Sequence, residues 1–250
     1  RELTQSQTQL QNQIERLSDH IFDKGAMIIP GEIGYDLKYY AVKLTSKSAS
    51  SLADYDGTTL TGGTSGVTAK VVNYVATDGT DPDTLFVKYL NTASDGSTIS
   101  FSDGETITSS GTGSPTAVVN STATGSAAQI KQGVYYINGF HVQVSAQTLI
   151  LEKYSDTPSY RVGLTVAESF VTPGDDTSLN DNAQGVSNTN APGAHRFKIE
   201  LTLAKKALSS TDDGNFYELL RLSSGVLQNQ VRTTEYAVLE DTLARRTFDE

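Results

Sequence analysis

The sequence predicts a mainly β protein, in which an N-terminal coiled-coil-like helix precedes an antiparallel β-sandwich-type domain with an inserted small β module and a short C-terminal helix. Three observations support this prediction. Leu and Ile recur at heptad spacing near the N-terminus, which indicates a helix. Apolar and polar residues alternate in many later segments, which is typical of half-buried strands. Gly, Ser, Thr, Asn and Asp are abundant between those segments, and they favour turns over long helices.

The composition excludes several classes of function. A formal net charge of −10 argues against a broad nucleic-acid or anionic-membrane surface, because both need clustered Lys and Arg. The chain has no Cys, which excludes disulfide bonds, zinc-thiolate sites and thiol catalysis. Its three His residues lie far apart in the sequence, although an all-oxygen metal site stays open. No apolar run approaches the roughly 20 residues of a membrane span. We expect no cofactor, no nucleic-acid partner and no membrane partner.

Residues 1–25 are predicted to form an oligomerisation helix. Positions a and d of three heptads carry a narrow stripe between polar side chains. The stripe consists of Leu3, Gln7, Leu10, Ile14, Leu17 and Ile21. Three heptads are too few to be stable alone, so we expect the helix to self-associate where neighbouring structure gathers the copies. Docking of the helix onto its own β domain is the alternative. Gly25 is expected to end the helix after Lys24, whose charge suits a helix C-terminus.

Residues 26–44 and 128–250 are predicted to form the main β domain, and residues 45–127 the inserted β module. Two short strands are expected within residues 26–44. The insert is rich in Ser, Thr, Gly and Asp, but alternating apolar residues still indicate strands in it. These strands are expected near residues 67–75, 85–89, 98–101, 105–108 and 116–121.

Two acidic turns of the insert, residues 54–57 and 78–83, resemble fragments of calcium loops. Neither turn carries the full ligand spacing or the closing bidentate Glu of an EF-hand. We therefore interpret both as solvated turns and predict no metal-binding residue.

The segment of residues 133–144 is the strongest strand signal in the chain. Asn138-Gly139 separates two alternating runs, and this dipeptide tolerates the positive φ angles of a two-residue type I′ turn. The predicted pairs are Ile137 with Phe140 and Tyr135 with Val142 on one face, and Tyr136 with His141 and Val134 with Gln143 on the other. The first face is expected to be core, and the second is free to contact solvent. Further strands must cover the apolar face, because a lone hairpin is only marginally stable in water.

The remainder of the chain continues the β pattern. Strands are expected near residues 148–151, 160–166, 197–203, 216–222 and 226–231. A last helix is expected after them, N-capped by Thr234, with Tyr236, Leu239 and Leu243 along one side. The long connection of residues 172–196 is expected to bond its Asn and Asp side chains to its own backbone, so that a partner subunit can pack against it. His195 is interpreted as a solvent-exposed residue at the start of a strand.

No reactive constellation is apparent in the sequence. Residues 63–66 do not form a nucleophile elbow, because their spacing is wrong, and no phosphate loop or dinucleotide fingerprint occurs. Any two of the 29 acidic residues could meet as a glycosidase pair, but nothing singles out a pair. Trp is absent, and the 12 Tyr residues lie mostly at alternating strand positions that serve packing. We predict that the chain is not an enzyme and has no catalytic residue.

Three patches of the sequence resemble a family of virion structural proteins of tailed bacteriophages, found in baseplate-attached tail-fibre or baseplate proteins. The patches are residues 133–144 with 148–154, residues 160–168 through Asp181-Asn182, and residues 191–197, and the tail of residues 243–250 fits as well. Within the insert, residues 62–69 and 85–90 are similar to modules that decorate phage structural proteins. The resemblance covers roughly two thirds of the chain.

The resemblance implies a non-enzymatic virion component, the proximal N-terminal part of a tail fibre or a baseplate component, that anchors the fibre to the tail and supports host attachment. The implied partners are copies of the chain in a homotrimer, other baseplate or tail proteins, and further fibre sequence after Glu250. A carbohydrate-binding adhesin module that uses the acidic insert and its tyrosines is the alternative function. A glycan-cleaving enzyme is the third and weakest candidate.

Overall fold

The computed structural model describes residues 2–93, 95–181, 193–211, 213–231 and 236–249, and of residues 2–4, 237 and 249 it describes the backbone alone. Helix α1 spans Glu2–Asp19, and strands β1 to β6 span Met27–Ile29, Ile33–Lys47, Thr59–Gly62, Thr68–Val75, Thr84–Tyr89 and Thr106–Ser109. Strands β7 to β12 span Thr116–Ile130, Gly133–Ile137, Phe140–Val144, Gln147–Glu152, Tyr160–Val171 and Arg196–Ala207. Strands β13 and β14 span Phe216–Ser223 and Val226–Gln230, and helix α2 spans Ala237–Asp249.

The mainly β class and the two terminal helices are confirmed. Three expectations about the bounds of elements were wrong. The second strand expected within residues 26–44 is not short, because β2 continues to Lys47 in its pairing with β7. Residues 98–101 form no strand, because Phe101 is buried as a single anchor from a loop while Ile99 points to solvent. Helix α1 ends at Asp19 rather than at Lys24, since the chain turns there to bring Phe22 onto the hairpin of β8 and β9. The N-cap predicted at Thr234 lies outside the described residues.

Six strands close into a ring. Neighbouring strands in the larger sheet are β7, β2, β5, β4, β3 and β6, and β6 pairs again with β7. Strand β10 extends the same sheet on the other side of β7. Apolar side chains fill the ring, among them Val42, Leu60, Val71, Val87, Ile107 and Val119.

A second core lies where the other two sheets meet the ring strands. The three-stranded sheet has the order β1-β8-β9, and the four-stranded sheet has the order β12-β11-β13-β14. The core contains side chains from both sheets and from the far ends of β2 and β7, among them Ile33, Ile130, Tyr135, Ile137, Leu164, Leu203 and Leu220. Strands β2 and β7, with 15 residues each, therefore contribute to both cores. The division into a main domain and an insert at residues 45–127 stays a prediction.

The hairpin of β8 and β9 has the predicted turn and register. Asn138 and Gly139 have φ angles of +48° and +86°, as a type I′ turn requires, and every predicted pair is present. The expectation that the second face would be free to contact solvent was wrong at Tyr136, which is fully buried. Helix α1 and Phe22 cover this face.

Two arginines of the four-stranded sheet form hydrogen-bonded ion pairs with Glu218. Arg221 donates to both carboxylate oxygens at 2.7 and 2.8 Å, and the buried Arg161 donates from β11 to Glu218 and to Asp213. Arg221, and then Arg161, hold the pKa of the Glu218 carboxyl below its usual value. Because the folded-state pKa is lowered, the stabilisation is complete above the unfolded pKa of about 4.3 and is lost as pH falls through the folded value.

We expect Glu218→Gln to lower the free energy of unfolding at pH 7 by about 2 kcal/mol, and this loss to shrink as pH falls towards 3. Urea unfolding at pH 7, 5 and 3 measures the difference. Glu200→Gln is the control, because its exposed pair with Lys198 should contribute less than about 1 kcal/mol. A Glu218→Gln effect that does not depend on pH would contradict this account.

Candidate functional site

Helix α1 docks on the tip of the hairpin through polar side chains. The amide of Gln11 donates to the Gly139 carbonyl at 2.9 Å. The Tyr136 hydroxyl lies 2.6 Å from an Asp19 carboxylate oxygen and 3.2 Å from the Glu15 carbonyl oxygen. All three helical residues lie within the last turns of α1, so the first turns extend away from these contacts.

Aromatic packing completes the attachment just after the helix ends. The ring of Phe22 lies 6.1 Å from Tyr136, 6.3 Å from His141 and 5.5 Å from Tyr236, measured between ring centroids. Burial, and then the hydrogen bond to Asp19, raise the pKa of Tyr136 above its usual value. The hydroxyl therefore stays protonated and remains a donor at physiological pH.

The predicted oligomerisation stripe lies on a different face of α1 and is exposed at Gln7, Leu10, Ile14 and Leu17. The exposed fractions of Leu10, Ile14 and Leu17 are 59%, 39% and 64%, and Gln7 is exposed as well. Ile21 is partly buried and follows the end of the helix. The side chain of Leu3 lies outside the described residues. We call Leu10, Ile14 and Leu17 the seam.

The docking face and the seam do not compete for the same surface. Each helical residue advances by about 100° around the axis. The face formed by Gln11, Glu15 and Asp19 is therefore centred roughly 130° from the seam. Helix α1 thus docks on its own β body, which was the alternative expectation, and still presents the stripe that predicts self-association.

The docking face was not recognised from the sequence. Gln11, Glu15 and Asp19 resemble the polar background of any solvated helix, and nothing local distinguishes them. Their role depends on Tyr136, which is more than a hundred residues away in the chain. The side chain of Phe22 was the only available signal, since an aromatic residue among polar ones after a predicted helix is suited to packing.

In the acidic turn of residues 54–57, Asp54 accepts a hydrogen bond from the Ser51 amide at 3.3 Å. The turn of residues 78–83 is occupied by contacts within the chain. Asp78 and Asp81 each accept a hydrogen bond from Lys153 at 2.8 Å. Asp83 pairs with Lys47. Lys153 and then backbone N–H groups hold the pKa of Asp78 well below its usual value. Among the described residues, no group of three or more His, Asp or Glu side chains could hold a metal ion.

The other residues considered from the sequence were the tyrosines of the insert and His195. Tyr55 of the insert is fully buried, and Tyr89 packs edge-on against Tyr40 and Phe101. His195 is exposed at the entrance of β12, as predicted.

The long connection before β12 bonds to its own backbone where it is described. Asp175 accepts from the Thr172 amide and hydroxyl at 2.9 and 2.8 Å. Asp176 accepts from the Ser178 amide at 3.0 Å. The expectation of local Asp bonding is therefore confirmed at these residues, and residues 182–192 lie outside the described part.

We expect Tyr136→Phe to loosen α1 without unfolding the β body. A hydrogen bond to a charged acceptor contributes about 1.5–3 kcal/mol, so amide exchange in the last turns of α1 should accelerate by roughly tenfold or more. Hydrogen exchange followed by mass spectrometry measures this change. Tyr55→Phe is the matched control, because it removes a hydroxyl that bonds to Thr116 in the ring core. Unchanged exchange in α1 of the Tyr136→Phe variant would show that the contact does not hold the helix.

Comparison with known proteins places this geometry in a family. Neither helix of the described residues is long and apolar enough to cross a membrane. No curated protein and no solved structure matches the chain. A family model described as a domain of unknown function, DUF4815, matches residues 85–250, which include the hairpin that seats α1. The match covers more than half of the chain, and the protein therefore belongs to the DUF4815 family.

Proposed function

We propose that this chain is a structural component of a tailed-bacteriophage virion, the proximal N-terminal part of a tail fibre or a baseplate component, that anchors the fibre to the tail and contributes to host attachment. The observation that carries the proposal is a helix held on the β body by one face while an apolar seam on another face is exposed. The resemblance of residues 133–144 with 148–154, of residues 160–168 through Asp181-Asn182, and of residues 191–197 to phage virion proteins gives the proposal its biological setting.

In this proposal α1 is a coiled-coil helix and the body is a rigid spacer. An isolated helix of this length is marginally stable in water, but the contacts with Tyr136 order α1 before any association. The sheets that share the second core act as a sandwich-type domain, and the two long strands join that domain to the ring. The protein then functions by holding its copies in fixed positions, because association of the helices sets the position of every body around a common axis.

The energy of the seam indicates how firm such an assembly can be. Complete burial of a Leu or Ile side chain contributes about 1.5–3 kcal/mol, so Leu10, Ile14 and Leu17 together supply roughly 5–9 kcal/mol per copy. Association itself costs about 4–15 kcal/mol. The gain is similar in size to the cost, so the seam alone supports at most weak association, and firm anchoring requires further contacts that act together with it.

The number of copies is proposed from the phage resemblance, which implies a trimer. The residue types of the stripe select the number only weakly. Ile at position a with Leu at d is typical of two-stranded coiled coils, but Gln7 occupies one a position and Ile21 lies beyond the end of α1. Ile14 is then the only β-branched residue left at position a of the described helix.

We expect the chain to sediment as a trimer at micromolar concentration and Leu10→Asp with Ile14→Asp to sediment as a monomer. Two charges in the seam should weaken association by at least about 100-fold, because loss of a single buried Leu already costs about 2–5 kcal/mol. Analytical ultracentrifugation over a concentration series measures both. The control, Gln9→Asp with Asn12→Asp, adds the same charge at exposed positions away from the seam. A monomeric unmodified chain at 100-fold higher concentration, or a seam variant that stays fully assembled, would refute the interface.

The position of the protein in a particle is a separate prediction. Image reconstruction of the native virion should place the chain at the junction of fibre and tail, with copies related by an axis that runs along α1. Absence of the chain from purified particles would contradict the virion assignment, even if the protein forms oligomers in solution.

A further inference from the structure

Strands β11 and β12 extend past the sheet to which they belong. They pair with each other over their whole length, from Tyr160 with Ala207 to Val171 with Arg196. Strand β13 pairs only with residues 160–165 of β11. Residues 166–171 and 196–201 therefore form a two-stranded ribbon that continues beyond the four-stranded sheet.

One face of this ribbon carries an exposed aromatic surface. Phe170 and Phe197 are paired across the ribbon, with ring centroids 5.6 Å apart, and Phe197 lies 5.5 Å from Phe140 of the hairpin. Phe170 is 68% exposed and Phe197 is 40% exposed. The same face continues inward through Val166 and Leu201 into the second core. We call Phe140, Phe170 and Phe197 the phenylalanine patch.

The charges of the ribbon suit contact with another copy of the chain. Within the ribbon, Glu168 is the one charged residue on the face of the patch, and it accepts a hydrogen bond from Asn138. Arg196, Lys198 and Glu200 alternate onto the opposite face, whereas the whole chain carries a net charge of −10. Copies of so acidic a protein repel one another over most of their surface. An apolar face with a single charge is where two copies can approach at low electrostatic cost, and it offers little to a strongly basic or acidic partner.

The patch adjoins the point where α1 docks. The turn at Asn138 and Gly139 accepts the hydrogen bond from Gln11 of α1, and Asn138 donates to Glu168 of the ribbon at 2.9 Å. Phe140 is the next residue after this turn. The docking face is centred roughly 130° from the seam, so each body lies beside its helix rather than directly behind it. In a ring of copies joined at the seam, each body then faces its neighbour.

We propose that the phenylalanine patch is a second contact between copies of this chain, covered by the body of the neighbouring copy in the oligomer that assembles on α1. This inference rests on the proposed function and supplies the further contact that the seam requires. The patch and the seam then act together, because closing one contact raises the effective concentration of the groups at the other.

The test measures three proteins by analytical ultracentrifugation. They are a double variant that carries both Phe170→Ser and Phe197→Ser, called the patch variant, the seam variant, and the unmodified chain. The expected result is an oligomer dissociation constant raised by about 100-fold in the patch variant. Its melting temperature at concentrations where all chains are monomeric should fall only slightly, because Phe170 is 68% exposed and Phe197 packs at the edge of the second core rather than inside it. Phe248→Ser is the matched control, since Phe248 is 90% exposed on α2 and lies outside the patch. If the double variant folds poorly, the milder Phe170→Thr variant replaces it in the test. Its oligomer dissociation constant should lie between those of the unmodified chain and the seam variant.

Each other outcome identifies which idea fails. An unchanged dissociation constant in the patch variants, together with a monomeric seam variant, overturns the patch and leaves the proposed function intact. A monomeric unmodified chain overturns both. A patch variant that assembles normally but is no longer incorporated into particles would assign the patch to another particle protein and would overturn this inference.

Discussion

The burial of Tyr136 under α1 is the contact on which the relation between the helix and the β body depends. Its ring lies on the second face of a hairpin whose register is set by the turn at Asn138 and Gly139. A shift of one residue would move Tyr136 to the opposite face and place Tyr135 under the helix. The register of one short hairpin thus decides whether a helix that is marginal alone is ordered, and in which direction its seam points.

The two long strands explain how a small contact at one end of the molecule can orient a large body. Strands β2 and β7 pair along most of their length and contribute side chains to both cores. Their shared hydrogen bonds connect the ring to the sheets that carry the hairpin. A rotation of one core relative to the other would break this ladder, so the cores are expected to move together. Such stiffness suits a spacer in a particle.

The arrangement also accounts for the apolar surface that remains exposed. A monomer of net charge −10 gains nothing from exposed Leu10, Leu17 or Phe170, because water contact with large apolar side chains is unfavourable. In the proposed assembly, neighbouring copies cover both exposed places. Neither place needs a strong contact, since simultaneous engagement multiplies their effects.

Local patterns determined much of this protein. The sequence alone predicted the mainly β class, the hairpin register, most strands and the two terminal helices, because an Asn-Gly turn, an alternating strand and a heptad each depend on residues that are close in the chain. It also singled out the stripe, of which the structure leaves Gln7, Leu10, Ile14 and Leu17 exposed. Only the tertiary structure decided which faces are covered. Tyr136 is buried by residues near the N-terminus, and Phe101 anchors a loop that resembles a strand. Glu105 is a further example, because it accepts hydrogen bonds from the Ser65 and Ser102 amides instead of facing solvent. These outcomes depend on contacts between segments that are distant in the sequence, and no local pattern specifies which distant residues a side chain will contact.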